Sequence, residues 1–236
     1  MFYFFGDKLL YYYLASVVSL PCTFVTLFNT MAINSIDTII FDLGGVLLDW
    51  NPKYVYDENY FESQEKRDYF FNNICTNDWN EEQDAGRSIV DATQILVKQF
   101  PEWEQAIRDY YGRWTEMLHG PITESVEIFR QLKETGKYKT YALTNWQGDL
   151  FHIALVRYNF LHWFDGRVVS GDERTRKPFH EFYQRLLDRY HVKPANALFI
   201  DDNLRNVKAA EELGIRSIHF TSSRQLLNEL KLLNIL

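Results

Sequence analysis

Short apolar runs enriched in β-branched residues recur along the chain from residue 37 onward. Between them lie stretches whose apolar positions fall three and four residues apart. Asp37 to Asp42 (DTIIFD) predicts a buried strand that runs into the tight turn Gly44-Gly45. From Pro121 the alternation is regular: a helix over ITESVEIFRQLKET stopped by Gly136, strand YKTYALT, helix DLFHIALVRY and a short strand RVVS. Helix HEFYQRLLDRY follows, then strand ALFID, helix NVKAAEEL stopped by Gly214, strand IRSIHF and a last helix from about Ser222. Strands separated by helices of this length pair in parallel through right-handed crossovers, so the fold class is α/β, a doubly wound parallel sheet. From Pro52 to about Gly120 no strand is predicted, only helices such as the one over SIVDATQILVKQF, which makes this an all-helical insert. The expected organisation is a core of residues 36–52 and 121–236, an inserted helical cap of residues 53–120, and a hydrophobic extension of residues 1–35.

The extension is a different kind of sequence. Leu9 to Phe28 carries no charge, follows the lone Lys8, and is long enough to span a bilayer. Against a signal or anchor stand Pro21, several Ser and Thr, three consecutive Tyr and the minimal basic flank. Met31 lies just ahead of the first strand. Three readings follow: a start assigned upstream of the working one, a membrane anchor or signal, or an extra packed helix. The remainder reads as cytoplasmic, with a membrane involved only if residues 9–28 are real and retained.

Composition narrows the partners. Of 236 residues, 46% are hydrophobic and 24% charged, which suits a globular chain with a sizeable core. Lys and Arg number 25 against 32 Asp and Glu, giving a net charge of -7 with no basic block, so nucleic-acid binding is disfavoured. Cys22 and Cys75 form neither a disulfide framework nor a zinc spacing, and the six histidines fall in no ligand arrangement. Nothing in the pattern speaks to oligomeric state.

Sheets of this class bind ligands beyond the carboxyl ends of their strands. The first strand ends in Asp42, the second in Thr144-Asn145 and the penultimate one in Asp201-Asp202, while Lys177, in RKP after the RVVS strand, reaches the same edge. Three carboxylates this close repel one another unless a cation sits between them, and hard oxygen ligands suit Mg²⁺. One carboxylate can then attack a phosphoryl group whose charge the metal and Lys177 offset.

Four segments, FDLGGVLLDWNP at 41–52, LTN at 143–145, RKP at 176–178 and FIDD at 199–202, stand in the order of the motifs of the haloacid dehalogenase-like (HAD) hydrolase superfamily. From about Ile36 to the C-terminus the chain resembles that superfamily, in its capped phosphatase type with a Rossmann-like core and the cap between the first and second motifs. The resemblance implies a Mg²⁺-dependent hydrolase of small phosphorylated metabolites. It makes Asp42 the nucleophile that forms an aspartyl-phosphate, with Thr144 hydrogen-bonding the phosphoryl oxygens and Asn145 beside it on the substrate. Lys177 neutralises nucleophile and phosphate. The metal ligands it implies are Asp42, the carbonyl of Gly44 and Asp202, with Asp201 ligating through water or holding Lys177. Asn206 is expected to face the loop of the second Asp.

Most phosphatases of the superfamily place an acid–base Asp where this chain has Gly44. Such a group contributes about 10²–10⁴-fold. Three accounts are open: a substrate with a good leaving group, as in a sugar-phosphate branch whose DLGG-type signature looks similar; a substitute among Asp49, Glu81, Glu82 and Asp84; or loss of turnover in a binding or regulatory protein. The 2-haloacid dehalogenases use the scaffold without metal, but their first motif usually has an aromatic residue where Gly44 stands, and paired acids such as Asp201-Asp202 favour a metal. Trp79, Asp84 and Arg87 are read as a loop-like segment of the cap facing substrate or solvent, and Trp103, Tyr110, Tyr111 and Trp114 as aromatics that pack it.

Overall fold

Two-sided burial explains the first strand. In a computed structural model, which describes residues 36–236, β1 (Thr38–Phe41) has every residue buried, as expected of a parallel strand covered on both faces. A tight turn leads to β2 (Leu48–Trp50). Four helices follow: α1 (Gln64–Tyr69), α2 (Asn77–Asp84), α3 (Ile89–Gln99) and α4 (Glu104–Gly112). The chain returns through β3 (Leu118–Pro121), which pairs antiparallel with β2, Leu48 opposite Pro121. It then alternates through α5 (Thr123–Glu134), β4 (Lys139–Thr144), α6 (Gly148–Arg157), β5 (Gly166–Val169), a short turn α7 (Ser170–Glu173) and α8 (His180–Tyr190). The last elements are β6 (Ala197–Asp201), α9 (Leu204–Glu212), β7 (Arg216–His219) and α10 (Ser223–Leu232).

The main sheet has the order β5-β4-β1-β6-β7, all pairs parallel. Chain order runs outward from β1 through β4 to β5, then jumps to β6 on the other side. The reversal beside β1 is the topological switch point, where such sheets bind ligands. Alternation along β1 feeds two cores: Ile39 and Phe41 pack with Phe129 of α5, Phe151 of α6 and Leu226 of α10, whereas Ile40 packs with Phe182 of α8 and Ala210 of α9. The sheet is therefore doubly wound. Among the helices between β2 and β3, Tyr56 sits within ring contact of Tyr60, Phe61, Phe70, Phe71 and Tyr110, and its hydroxyl donates to the Ala106 carbonyl at 2.7 Å.

Two local expectations are corrected. The stretch from Pro52 to Gly120 was expected to lack strands, yet β3 begins at Leu118. Its sequence LHGP holds a glycine and a proline and no β-branched residue, so only its nonlocal pairing with β2 makes it a strand. The segment with Trp79 and Asp84 is helix α2, not a loop. Its side chains are mostly polar and show no apolar stripe, but Thr76 caps it, accepting from the Trp79 N–H at 3.1 Å, and Asp78 lies in the favourable first turn. Among the described residues no helix is long and apolar enough to cross a membrane. The readings of residues 9–28 lie outside the described residues.

Candidate active site

Parallel register sets the site. Phe41 of β1 is level with Ala142 of β4 and with Ile200 of β6, so the three strands leave the sheet together at Asp42, Thr144 and Asp201. The Asp42 N–H donates to the Ile200 carbonyl at 2.8 Å, extending the ladder to the nucleophile candidate itself. Oδ1 of Asp42 accepts from the Leu43 N–H at 2.7 Å and from Lys177 Nζ at 2.8 Å, which directs Oδ2 away from these partners.

Lys177 is the pivot of the cluster. It is 1% exposed, with Nζ 2.8 Å from Asp42 Oδ1 and 2.7 Å from Oδ2 of the fully buried Asp201. Burial alone would lower its ammonium, but Asp201 and Asp42 outweigh that and hold it above its ordinary value. Asn145 fixes the lysine backbone from both ends of its amide: Oδ1 accepts from the Lys177 N–H at 2.8 Å and Nδ2 donates to the Lys177 carbonyl at 3.0 Å. Asp201 is saturated on its other side, where Oδ1 accepts from the Asn203 N–H at 2.8 Å and from Asn206 Nδ2 at 3.1 Å. Asn206 does face this loop.

Asp202 carries the third carboxylate. A Cβ on Gly45 would lie 2.2 Å from Asp202 Oδ2, and Gly45 has φ +73, so only glycine lets the turn pass beneath that side chain. The sequence displayed this glycine as part of a turn; that it makes room for an acid 157 positions later was not legible. Asp42, Asp201 and Asp202 each offer an oxygen within 4.8 Å of the others. Burial, with Asp201 and Asp202 adding to it against the pull of Lys177, pushes the Asp42 carboxyl up to about 7, and burial with Asp201 also raises Asp202. One ammonium does not balance three acids, and hard oxygen donors in this arrangement fit a divalent cation such as Mg²⁺. The Thr144 hydroxyl is buried with no hydrogen-bond partner among the described residues, the mark of a group kept for a ligand.

A cavity of about 70 Å³ opens beside Gly44. Trp50, Tyr111, Trp114 and Trp146 wall it, the last two with ring centroids 5.6 Å apart. Tyr111 and Trp114, expected only to pack the helices, thus face the site as well. The indole N–H groups of Trp50 and Trp146 are buried without partners among the described residues. Asn80 and Asp84 of α2 line the same space, whereas Asp49 does not and instead accepts from the Tyr54 hydroxyl at 2.8 Å. Glu81 and Glu82 are engaged elsewhere: Glu81 pairs with Arg176 at 2.7 Å and with Arg205, and Glu82 lies 4.0 Å from Arg176. Trp79 packs edge-on to Tyr110, and Arg87 donates to Gln83 and to the Trp79 carbonyl.

The switch point of a Rossmann-like sheet thus gathers acids, a lysine and a hydroxyl without a partner among the described residues. The chain belongs to the haloacid dehalogenase-like hydrolase family, whose profile matches residues 36–214. It is 30% identical over 194 residues to the sesquiterpene phosphatase astK of Aspergillus oryzae, covering 81% of this chain and 93% of that one. Similarity to flavin mononucleotide hydrolase 1 of Arabidopsis thaliana is 34% identity over 158 residues, 66% of this chain and 58% of that protein. In fold it resembles a HAD family enzyme of Bacteroides thetaiotaomicron solved with magnesium and inorganic phosphate (TM-score 0.61, 18% identity, 79% of this chain and 94% of that one).

Proposed function

We propose that this hydrolase is a Mg²⁺-dependent phosphatase of small phosphorylated metabolites that works through an aspartyl-phosphate on Asp42. The observation that carries the reading is the Asp42–Lys177–Asp201 cluster, with both ion pairs under 3 Å and buried at the switch point. Asp42 Oδ2 attacks phosphorus, the bond to the alcohol oxygen breaks, and water then releases phosphate from the aspartyl group. Lys177 holds Oδ1 and so fixes the attacking carboxylate; the orphan Thr144 hydroxyl donates to a phosphoryl oxygen. Asn145, which lines the cavity, positions Lys177 through its backbone. Mg²⁺ would be held by Asp42, Asp202 and the Gly44 carbonyl, with Asp201 behind, and would offset phosphate charge. A metal-free dehalogenase has less use for this acid pair, and the named functions of the Aspergillus and Arabidopsis relatives, together with the magnesium and phosphate of the Bacteroides enzyme, favour phosphate esters.

The aromatic walls bear on the alcohol half of the substrate. They suit a group that stacks on rings or packs against them, whether the apolar face of a sugar, a flavin-like ring or an isoprenoid chain. Purified protein is expected to hydrolyse p-nitrophenyl phosphate with Mg²⁺ and to lose that activity in EDTA. Hydrolysis that persists unchanged in EDTA, or none under either condition, would overturn the reading. Gly45→Ala should displace Asp202 and lower Mg²⁺ affinity about 10–100-fold, read by titration calorimetry. The left-handed backbone adds about 1–2 kcal/mol of destabilisation. Unaltered affinity would show that Asp202 is not a ligand.

A further inference from the structure

Gly44 leaves the position beside the nucleophile without an acid, and a Cβ built there meets nothing within 4 Å. The cavity beside Gly44 is lined on its helical side by Asp84, the last residue of α2. That carboxyl is held in place. Asn80 Nδ2 donates to Asp84 Oδ2 at 3.1 Å, and the Tyr111 hydroxyl in turn donates to Asn80 Oδ1 at 2.9 Å. The backbone is anchored to the core: Ser170 Oγ donates to the Asp84 carbonyl at 2.5 Å and accepts from the Trp146 N–H, two residues past Thr144, at 2.8 Å. One turn earlier, Glu81 pairs at 2.7 Å with Arg176, the neighbour of Lys177 in sequence. So the end of α2 is tied to the same loops that carry Thr144 and Lys177.

We propose that Asp84, reaching the cavity from α2, is the general acid–base of this enzyme and takes the place of the acid missing at Gly44. The inference rests on the phosphatase reading and deepens it. As the phosphorus–oxygen bond to the alcohol breaks and the Asp42 Oδ2–phosphorus bond forms, the Asp84 carboxyl gives its proton to the departing oxygen. The resulting carboxylate takes a proton from the water that attacks the aspartyl-phosphate, the Oδ2–phosphorus bond breaks, and phosphate leaves with Asp84 protonated again. The group is suited to both halves: burial, with Glu81 adding to it against Arg176, the Gln147 N–H and Lys177, pushes it up to about 7.

The test uses two esters of similar shape and different leaving groups, p-nitrophenyl phosphate and benzyl phosphate. Benzyl alcohol is a far weaker acid than p-nitrophenol, so only its departure needs a proton. Asp84→Asn is expected to lower kcat/KM for benzyl phosphate by about 10²–10⁴-fold and for p-nitrophenyl phosphate by less than about 10-fold. Adding Gly44→Asp to Asp84→Asn is expected to restore at least about 10-fold on the benzyl ester, because the space above Gly44 accepts a side chain. A merely structural role for Asp84 would lower both esters together and would not be rescued at Gly44; that result, or no loss on either ester, overturns the inference while leaving the phosphatase reading intact. A wild-type protein silent on both esters overturns the phosphatase reading and this one with it.

Discussion

Asp42→Asn is expected to reduce phosphate-ester hydrolysis on the order of 10⁴–10⁶-fold, as loss of a covalent nucleophile does, and at the same time to change how stability responds to pH. In the metal-free protein the folded state holds the Asp42 carboxyl at about 7 against an ordinary 3.8. The folded protein therefore binds this proton more tightly than the unfolded chain. Stability from that difference is fully present below about pH 4 and is lost as the pH rises to about 7. Asn cannot ionise, so the variant lacks this loss, while Asp84, raised in both proteins, contributes equally to each. Urea midpoints in EDTA at pH 5 and pH 8 would measure it: the wild-type midpoint should fall further between the two than that of Asp42→Asn. Parallel falls would mean that Asp42 is not under electrostatic strain in the folded state. On the proposed reading, the nucleophile is kept at a cost in stability, a trade common at active sites.

How much of this was legible follows from which interactions are local. The strands and the helices packed on them follow from apolar periodicity and glycine stops, and the helix HEFYQRLLDRY matches α8 residue for residue. Asp42, Thr144 and Asp201 were legible as strand-end residues, because a parallel sheet must bring its carboxyl ends to one edge, and Lys177 as a loop residue after the RVVS strand that reaches that edge. β3 was not, since LHGP has no strand propensity and is defined by a partner about 70 residues away. Helix α2 was missed because its polar surface gives no stripe. The placement of Asp84 was equally hidden: Glu81, Glu82 and Asp84 look alike as a run of acids, and only the direction of α2 sends two to arginines and one into the cavity. Asn145 shows a related limit, as its residue type suits a substrate contact whereas its hydrogen bonds hold the lysine backbone.

Lys177→Met should be the most destabilising single change in the site. Met has nearly the length of lysine and fills the same buried space, so the packing loss is small. What disappears is the ammonium between Asp42 and Asp201, leaving two carboxylates buried without it. Breaking a buried pair in this way costs about 3–5 kcal/mol, and hydrolysis should vanish with the charge that positions Oδ1 of Asp42. The origin of the loss can be separated from general damage. If unpaired charge is the cause, Lys177→Met combined with Asp201→Asn should be more stable than Lys177→Met alone, because the second change removes the carboxylate the first one stranded. Mg²⁺ should also raise the melting temperature of Lys177→Met more than that of the wild type, since it would be the remaining cation among three acids. Losses that simply add in the double variant would mean that Lys177 stabilises the fold by filling space, and the electrostatic account of the cluster would fall.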